Sequence, residues 1–212
     1  MKQPVVTFAV CCLVLTGCAG PAEEPPMVEQ GEVVVEWERL LPGLMTETQK
    51  AQQELVLTAT NALVSETMGE LMAALDAGDA AEAINVCREK APLVAVHVSE
   101  QYGVRIGRTS QRLRNPDNVA PAWAQTYVED LVADPTYLAG PDGEMGALLP
   151  IHLKADCQMC HGPAEMIDDD IKAAIAEHYP DDQAVGFADG ELRGWFWVEA
   201  PPGEVEAAKT EM

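Results

Sequence analysis

The run Cys157-Gln158-Met159-Cys160-His161 lies in the last third of a chain of 212 residues. Two thiols separated by two residues can form thioethers with the two vinyl groups of one haem. A histidine directly after the second thiol is placed to bind the iron as its proximal ligand. The run therefore predicts one covalent haem c, attached through Cys157 and Cys160 and bound at its iron by His161. Such a group limits the chemistry to electrons or small ligands at iron, in a compartment outside the cytoplasm.

Three other kinds of site use two closely spaced cysteines. A thioredoxin-like dithiol needs only the C-x-x-C spacing and leaves His161 without a role. A structural zinc site needs two further ligands at zinc-type spacing, whereas the sequence has no second C-x-x-C, and His152 and His178 stand alone. A disulfide between Cys157 and Cys160 accounts for the thiols alone. Haem attachment accounts for all three residues and agrees with an export signal at the N-terminus.

The N-terminus has the features of a secretory signal peptide over residues 1–17. A basic second residue precedes an apolar stretch over residues 5–15, which is too short to span a membrane as a mature helix. The run Leu-Thr-Gly-Cys that ends at Cys18 resembles the bacterial lipobox, and this resemblance implies a lipid on Cys18. The next residue is alanine rather than aspartate, which resembles the sorting signal for the outer membrane. We therefore expect a protein anchored by lipid to the periplasmic side of a bacterial membrane, the outer one. The alternative is a soluble periplasmic protein whose Cys18 leaves with the leader.

Composition divides the rest of the chain into three parts. Residues 18–45 are rich in proline and glutamate and predict a flexible acidic tether behind the lipid anchor. Residues 46–200 are long enough for one domain with a sizeable core, and residues 201–212 predict a loose tail. The formal net charge of −22 disfavours nucleic acid and anionic headgroups as ligands. It favours a redox or signalling protein with a basic patch as the partner.

Apolar periodicity predicts helices before strands. Along residues 46–77, apolar residues recur every three or four positions, which is typical of a helix. Pro141, Asp142 and Gly143 predict the turn of a hairpin between strands. The other expected elements are helices that reach Cys87 and cover residues 93–100, 123–133 and 167–178, and strands over residues 104–108 and 194–198. Helices that come first, with strands clustered later and no regular alternation, indicate an α+β domain.

The remaining cysteine, Cys87, lies on an inward face of a predicted helix. The leader takes two cysteines with it, Cys18 carries lipid, and the haem motif uses two more. The pattern leaves two roles open for Cys87, a small buried hydrophobe or a second iron ligand. Its rivals for that second ligand position are Met145, Met159, Met166, His97 and His152.

Arginines are concentrated in one short stretch. Four of the seven arginines lie between residues 105 and 114. Arginine forks suit carboxylates, and a haem has two propionates. We expect Arg108 or Arg112 to contact a propionate, with Arg193 as a further candidate. A strand edge kept soluble by charge explains the same arginines equally well.

Short motifs along the chain resemble those of a known family. They extend over about residues 50–199, and their combination is more specific than the haem motif alone. The motifs are Ala83-Ile84-Asn85-Val86-Cys87, Gly107-Arg108-Thr109-Ser110, Arg114-Asn115-Pro116, Cys157-Gln158-Met159-Cys160-His161-Gly162 and Tyr179-Pro180-Asp181-Asp182. This set resembles the single-haem, PAS-like c-type haem proteins, long catalogued as a domain of unknown function.

The resemblance carries expectations about fold and iron site. It implies a PAS-like antiparallel sheet flanked by long N-terminal helices, with one c-type haem. It also implies that His161 binds one side of the iron and the thiolate of Cys87 binds the other. A thiolate is anionic, so it stabilises ferric iron and lowers the reduction potential.

These observations predict a function in extracytoplasmic electron transfer or redox sensing through a low-potential haem. Two filled axial positions leave no place for a substrate, which favours electron chemistry over catalysis. The alternative is a gas sensor in which carbon monoxide or nitric oxide displaces Cys87. A peroxidase-like enzyme ranks last, because no distal histidine and arginine pair is evident in the sequence.

Overall fold

The computed structural model describes residues 37–78 and 80–203, with residues 80 and 81 described by their backbone alone. The leader, Cys18 and most of the predicted tether lie outside the described residues, as does the tail after Gly203. The α-helices are α1 (Glu47–Asp76), α2 (Ala80–Asn85), α3 (Ala91–Tyr102), α4 (Gln125–Glu129), α5 (Gln158–His161) and α6 (Asp169–His178). The strands are β1 (Glu38–Arg39), β2 (Arg105–Thr109), β3 (Thr136–Ala139), β4 (Met145–His152) and β5 (Leu192–Ala200). Short 3₁₀ turns cover Pro42–Leu44, Ala122–Ala124, Ala155–Cys157 and Ala164–Met166.

The described strands form one antiparallel sheet in the order β1-β3-β4-β5-β2. This arrangement confirms the predicted α+β class with an antiparallel sheet and N-terminal helices. The sheet begins with β1, which pairs with β3 and lies inside the stretch 18–45 that composition assigns to the tether. Within the described residues, no helix combines the length and the apolar composition needed to cross a bilayer.

The long helix α1 covers one face of the sheet. It begins with a capping box, in which Thr46 Oγ1 accepts from the backbone N–H of Gln49 and Gln49 Oε1 accepts from the backbone N–H of Thr46. Its buried face includes Val56 and Leu63, which pack with residues of α3, β2, β4 and β5 in the main core. The helix predicted over residues 46–77 is therefore confirmed.

Strand alternation separates the two faces of the sheet. Ile106 on β2 and Val198 on β5 are register partners and belong to the core beneath α1 and α3. Trp195 belongs to the core on the opposite face, with Leu148 and residues around α4. Because side chains alternate along a strand, Arg108 lies on the same face as Ile106, towards the helices. The strand pattern thus places Arg108 beside the helical layer.

The helices expected on either side of residue 90 are one continuous helical segment. A π-helical turn, Val86–Lys90, joins α2 to α3, and the backbone N–H of Ala91 closes it on the carbonyl of Val86. Pro92 follows directly in the first turn of α3. Proline has no N–H to donate, and its ring clashes with the carbonyl four residues earlier in a regular helix. The wider turn accommodates Pro92 without ending the helix.

The helix expected over residues 123–133 ends at Glu129. The amide of Gln111 donates to the carbonyls of Val128 and Glu129 and so takes the place of the next helical N–H groups. Leu131 then adopts a left-handed conformation with φ of 54°, and the chain turns away. The side chain of Gln111, two residues after the end of β2, therefore ends this helix.

Gly194 allows β5 to approach the end of β2 closely, and we expect Gly194→Ala to lower the free energy of unfolding by about 3 kcal/mol. An added Cβ at this position collides with the carbonyl oxygen of Thr109, a backbone atom that cannot move aside. The control is Gly69→Ala on α1, where the new Cβ meets no atom within 4 Å. This control is expected to gain about 0.5–1 kcal/mol from helix propensity. Urea unfolding followed by circular dichroism measures both, and equal stability of the two variants contradicts the prediction.

Candidate functional site

The cysteine motif follows β4 on a short helical segment. Cys157 ends a 3₁₀ turn, and Cys160 and His161 lie on α5. Cys157 packs against a cluster that contains Phe187, whereas Cys160 packs against a cluster that contains Ile84 of α2. The two thiols, both free and half-buried, therefore face different parts of the molecule.

His161 is held in one tautomer by the backbone. Its Nδ1 lies 2.7 Å from the carbonyl oxygen of Ala184. A carbonyl can only accept, so Nδ1 carries the hydrogen and Nε2 keeps its lone pair. Burial, followed by the charges of Arg114 and Arg193, lowers the pKa of His161 to about 3. The imidazole is therefore neutral at physiological pH, as a metal ligand must be.

Two backbone hydrogen bonds join the loop that contains Ala184 to the end of the cysteine motif. The backbone N–H of Gly186 donates to the carbonyl of Gly162 at 2.7 Å, and that of Phe187 donates to the carbonyl of His161 at 2.9 Å. These bonds hold the loop against the end of α5. The acceptor of His161 thus belongs to a segment about twenty residues further along the chain.

Arg114 and Asp182 form a buried ion pair beneath this loop. The Nε and Nη2 of Arg114 each lie 3.1 Å from an oxygen of the Asp182 carboxylate. The same Nη2 donates to the carbonyl of Cys160 at 2.7 Å, and Asp182 Oδ1 accepts from the backbone N–H of Ala184 at 2.9 Å. In the sequence, both residues appear only as parts of family motifs, and no local pattern shows that they bond to each other.

Cys87 lies within the π-helical turn that joins α2 to α3. Burial and then the negative charge of Cys87 raise the pKa of Tyr179 to about 12. Burial raises the pKa of Cys160 as well, with smaller contributions from Cys87 and Cys157 and an opposing one from Arg114. Ile84, three residues before Cys87, packs in the cluster that contains Tyr179 and adjoins Cys160, so this part of the helical segment lies against the motif. π-helical turns occur frequently at functional sites.

The rival ligands lie elsewhere or face solvent. Met145 is fully buried in the main core on β4. Met159 and Met166 are 41% and 61% exposed, and His97 on α3 is exposed. His152 is exposed and contacts the carbonyl of Gly190 through Nδ1 at 3.1 Å. Cys87, by contrast, is half-buried and follows Ile84, which packs in the cluster that adjoins Cys160.

The three candidate arginines have different surroundings. Arg112 stacks on Phe187 at 3.9 Å from the ring centroid, donates to the carbonyl of Gln183 and lies 3.7 Å from a Glu191 oxygen. The guanidinium of Arg108 has no hydrogen-bond or ion-pair partner among the described residues. It lines a cavity of about 300 Å³ between α3 and β2. Arg112 is committed to its neighbours, whereas Arg108 is available to a ligand.

Arg193 is the most unusual of these side chains. Its Nε is buried and has no partner among the described residues. Burial and the nearby charges of Arg114, Arg108 and Arg112 lower the pKa of Arg193 to about 10, although Asp182 opposes this shift. The Nη1 of Arg193 donates to the carbonyl of Arg112 at 3.3 Å, and its guanidinium lies 5.2 Å from the centroid of the Phe187 ring.

Comparisons with known proteins identify the family of this chain. The model of the Tll0287-like family, described as Tll0287, matches residues 42–201. The crystal structure of the cyanobacterial heme-protein Tll0287 is similar with a TM-score of 0.54 and 22% identity, over 74% of this chain and 97% of that one. At this identity the likeness shows the fold. No curated protein matches the chain at a significant level. The family resemblance inferred from the motifs is confirmed, and this protein belongs to the Tll0287-like family.

Proposed function

We propose that this domain binds one haem c covalently and serves in electron transfer or redox sensing on the periplasmic side of a bacterial membrane. The observation that carries the proposal is the state of His161, whose Nδ1–H is bonded to Ala184 while Nε2 has no hydrogen-bond partner among the described residues, in a motif whose two thiols are free. A histidine ligand of haem or another metal typically has its second ring nitrogen occupied in this way. The description of the solved relative as a heme-protein supports the same cofactor.

The residues of the site fit the parts of a haem. Cys157 and Cys160 would form the two thioethers, His161 would bind the iron through Nε2, and Cys87 would be the second ligand. Arg108 and the orphaned Nε of Arg193 match the charge of two propionates. When bound, the haem supplies a one-electron couple at iron. The protein residues hold it and set the charge around it.

A thiolate from Cys87 favours the ferric state, because it adds negative charge directly at the metal. A filled second position excludes substrate from the iron, so the proposal is electron carriage or sensing rather than catalysis. The strongly acidic composition, with net charge −22, favours a protein partner with a basic patch. Lipid at Cys18 is proposed to keep the domain at the outer membrane.

Expression of the full chain in a bacterium with an active haem-attachment system tests the proposal. The purified protein is expected to be coloured, and its polypeptide mass is expected to increase by one haem that acid acetone does not extract. The ferric spectrum is expected to be low-spin with a thiolate signature. A colourless chain with the mass of the lipidated polypeptide contradicts the proposed function.

A second candidate function is gas sensing, and the π-helical turn at Cys87 favours it. π-helical turns are rare and occur frequently at functional sites, which is consistent with a Cys87 that exchanges for another ligand. In this case carbon monoxide replaces the Cys87 thiolate in the ferrous protein. Stopped-flow absorbance with carbon monoxide distinguishes the two candidates, because a pure electron carrier keeps its thiolate and reacts slowly or not at all.

We expect Arg108→Gln to lower the reduction potential by some tens of mV, a small part of the roughly 0.8 V range available to haem proteins. Removal of a cation that we propose to lie near the haem disfavours the reduced state, which carries one positive charge fewer. The matched control is Arg112→Gln, because Arg112 already bonds to Gln183 and stacks on Phe187. Redox titration with absorbance spectra measures both variants. An equal shift in the two, or a shift for Arg112 alone, contradicts the assignment to Arg108.

A further inference from the structure

The orientation of the His161 ring depends on a single carbonyl in an irregular loop. Ala184 lies between the end of α6 at His178 and the start of β5 at Leu192, and no helix or strand includes it. Irregular backbone of this kind has many accessible conformations unless other bonds restrict it. The 2.7 Å bond from His161 Nδ1 therefore needs support from the rest of the structure.

Asp182 provides that support from within the loop. Its Oδ1 accepts from the backbone N–H of Ala184 at 2.9 Å, which closes a tight turn two residues long. This bond fixes the position of Ala184 only if the carboxylate itself is fixed. Arg114 fixes the carboxylate with two bonds of 3.1 Å from Nε and Nη2.

Arg114 also bonds to the segment that carries the histidine. Its Nη2 donates to the carbonyl of Cys160 at 2.7 Å and lies 3.4 Å from the carbonyl of Ala184. One guanidinium therefore connects the residue before His161 with the loop that holds the acceptor of His161. Planar donors in a rigid fork suit this task, and the flexible point charge of a lysine does not.

The burial of this pair needs an explanation other than stability. The side chains of Arg114 and Asp182 are 7% and 8% exposed. Desolvation of two charges costs about as much as their attraction returns, so apolar residues of similar size often serve stability as well or better. The charged pair adds directional hydrogen bonds to three backbone groups, which are the carbonyl of Cys160 and the N–H and carbonyl of Ala184.

We propose that Arg114 and Asp182 are positioning residues that fix the ring orientation of His161 through Ala184. This inference rests on the proposed function, since it concerns the iron ligand of that site. Replacement of the groups that orient a metal-bound histidine typically changes metal affinity or activity by about 10- to 100-fold. The pair therefore tunes the iron site without touching the haem iron.

The test compares Arg114→Lys and Asp182→Asn with Arg105→Lys, all as haem-loaded full-length chains. Arg105 lies on β2 and pairs with Glu199 at the surface, so its replacement is the same chemical change at an arginine–carboxylate pair outside the site. The first readout is the rate at which the His161 Nδ1 hydrogen exchanges with deuterium, measured by NMR in the ferrous state. The second is the reduction potential, and the third is the free energy of unfolding.

Arg114→Lys and Asp182→Asn are expected to speed the Nδ1 hydrogen exchange at least about tenfold. We also expect them to change the ferric-to-ferrous equilibrium by about tenfold, which is about 59 mV for one electron. The Arg105→Lys control is expected to stay within about twofold of the unaltered chain, in line with the small worth of exposed ion pairs. A purely structural role lowers stability and moves neither of the first two readouts.

Exchange and potential in haem-loaded Arg114→Lys that match those of Arg105→Lys overturn the inference. Asp182→Asn keeps the shape of the side chain but loses the oxygen that accepts from Arg114 Nη2, so the carboxylate is no longer fixed, and the variant gives the same comparison if the lysine variant does not accumulate. Failure of the proposed function is distinct, because in that case the unaltered chain itself carries no covalent haem.

Discussion

Replacement of both Cys157 and Cys160 by alanine is expected to abolish covalent haem attachment completely. Each thiol supplies one thioether, and no other thiol in the described part of the chain lies in a C-x-x-C-H run. Each single replacement is expected to leave one thioether and to reduce the yield of protein with covalent haem. Mass spectrometry of the denatured polypeptide, together with acid-acetone extraction, measures the attached haem.

Cys87→Ala is the matched control for this experiment. It removes the third described free thiol but leaves the attachment motif intact, so haem is expected to stay covalent. Covalent haem in the double variant, or its loss in the control, contradicts the assignment of the thioethers.

The second large effect is expected from Cys87→Ser. Loss of the thiolate removes a negative charge from the iron, so we expect the reduction potential to increase by on the order of 100 mV, within the roughly 0.8 V that axial ligands span. The low-spin thiolate signals in the electron paramagnetic resonance spectrum are expected to disappear. Redox titration and that spectrum, both on the haem-loaded chain, measure the effect.

Met159→Leu and Met166→Leu are the controls for Cys87→Ser. Both methionines lie near the motif in sequence, and both side chains face solvent in the structure. Their replacement is expected to leave the potential and the spectrum unchanged. An unchanged spectrum in Cys87→Ser, or a lost ligand signal in a methionine variant, excludes Cys87 as the ligand.

Much of the fold follows from patterns that are local in the chain. The apolar periodicity of residues 46–77 predicts α1 to within a residue at each end, because a helix depends on contacts three and four positions apart. The turn at Pro141, Asp142 and Gly143 predicts the β3–β4 hairpin for the same reason. Strands β2 and β5 are also predicted, but their pairing is not, since 86 or more residues separate their register partners.

The errors in the helix boundaries have long-range causes. The helix over residues 123–133 stops early because Gln111, far back in the chain, occupies its last carbonyls. The continuity through Val86–Lys90 depends on a π-helical turn, which apolar periodicity does not reveal. Both features depend on which backbone groups find partners, and that is a property of the folded chain.

The chemistry of the site is present in the printed residues, because two thiols and an imidazole at fixed spacing suffice to predict covalent haem attachment. The contacts of the charged side chains around the site cannot be read from the sequence in the same way. Four arginines in one stretch look alike in sequence, yet Arg114 is buried against Asp182, Arg112 stacks on Phe187, and the Arg108 side chain has no hydrogen-bond or ion-pair partner in the part of the chain that the structure describes. The role of a charged side chain depends on its burial and on the partners within its reach. Residues some seventy positions away provide those partners, so three-dimensional packing assigns the roles.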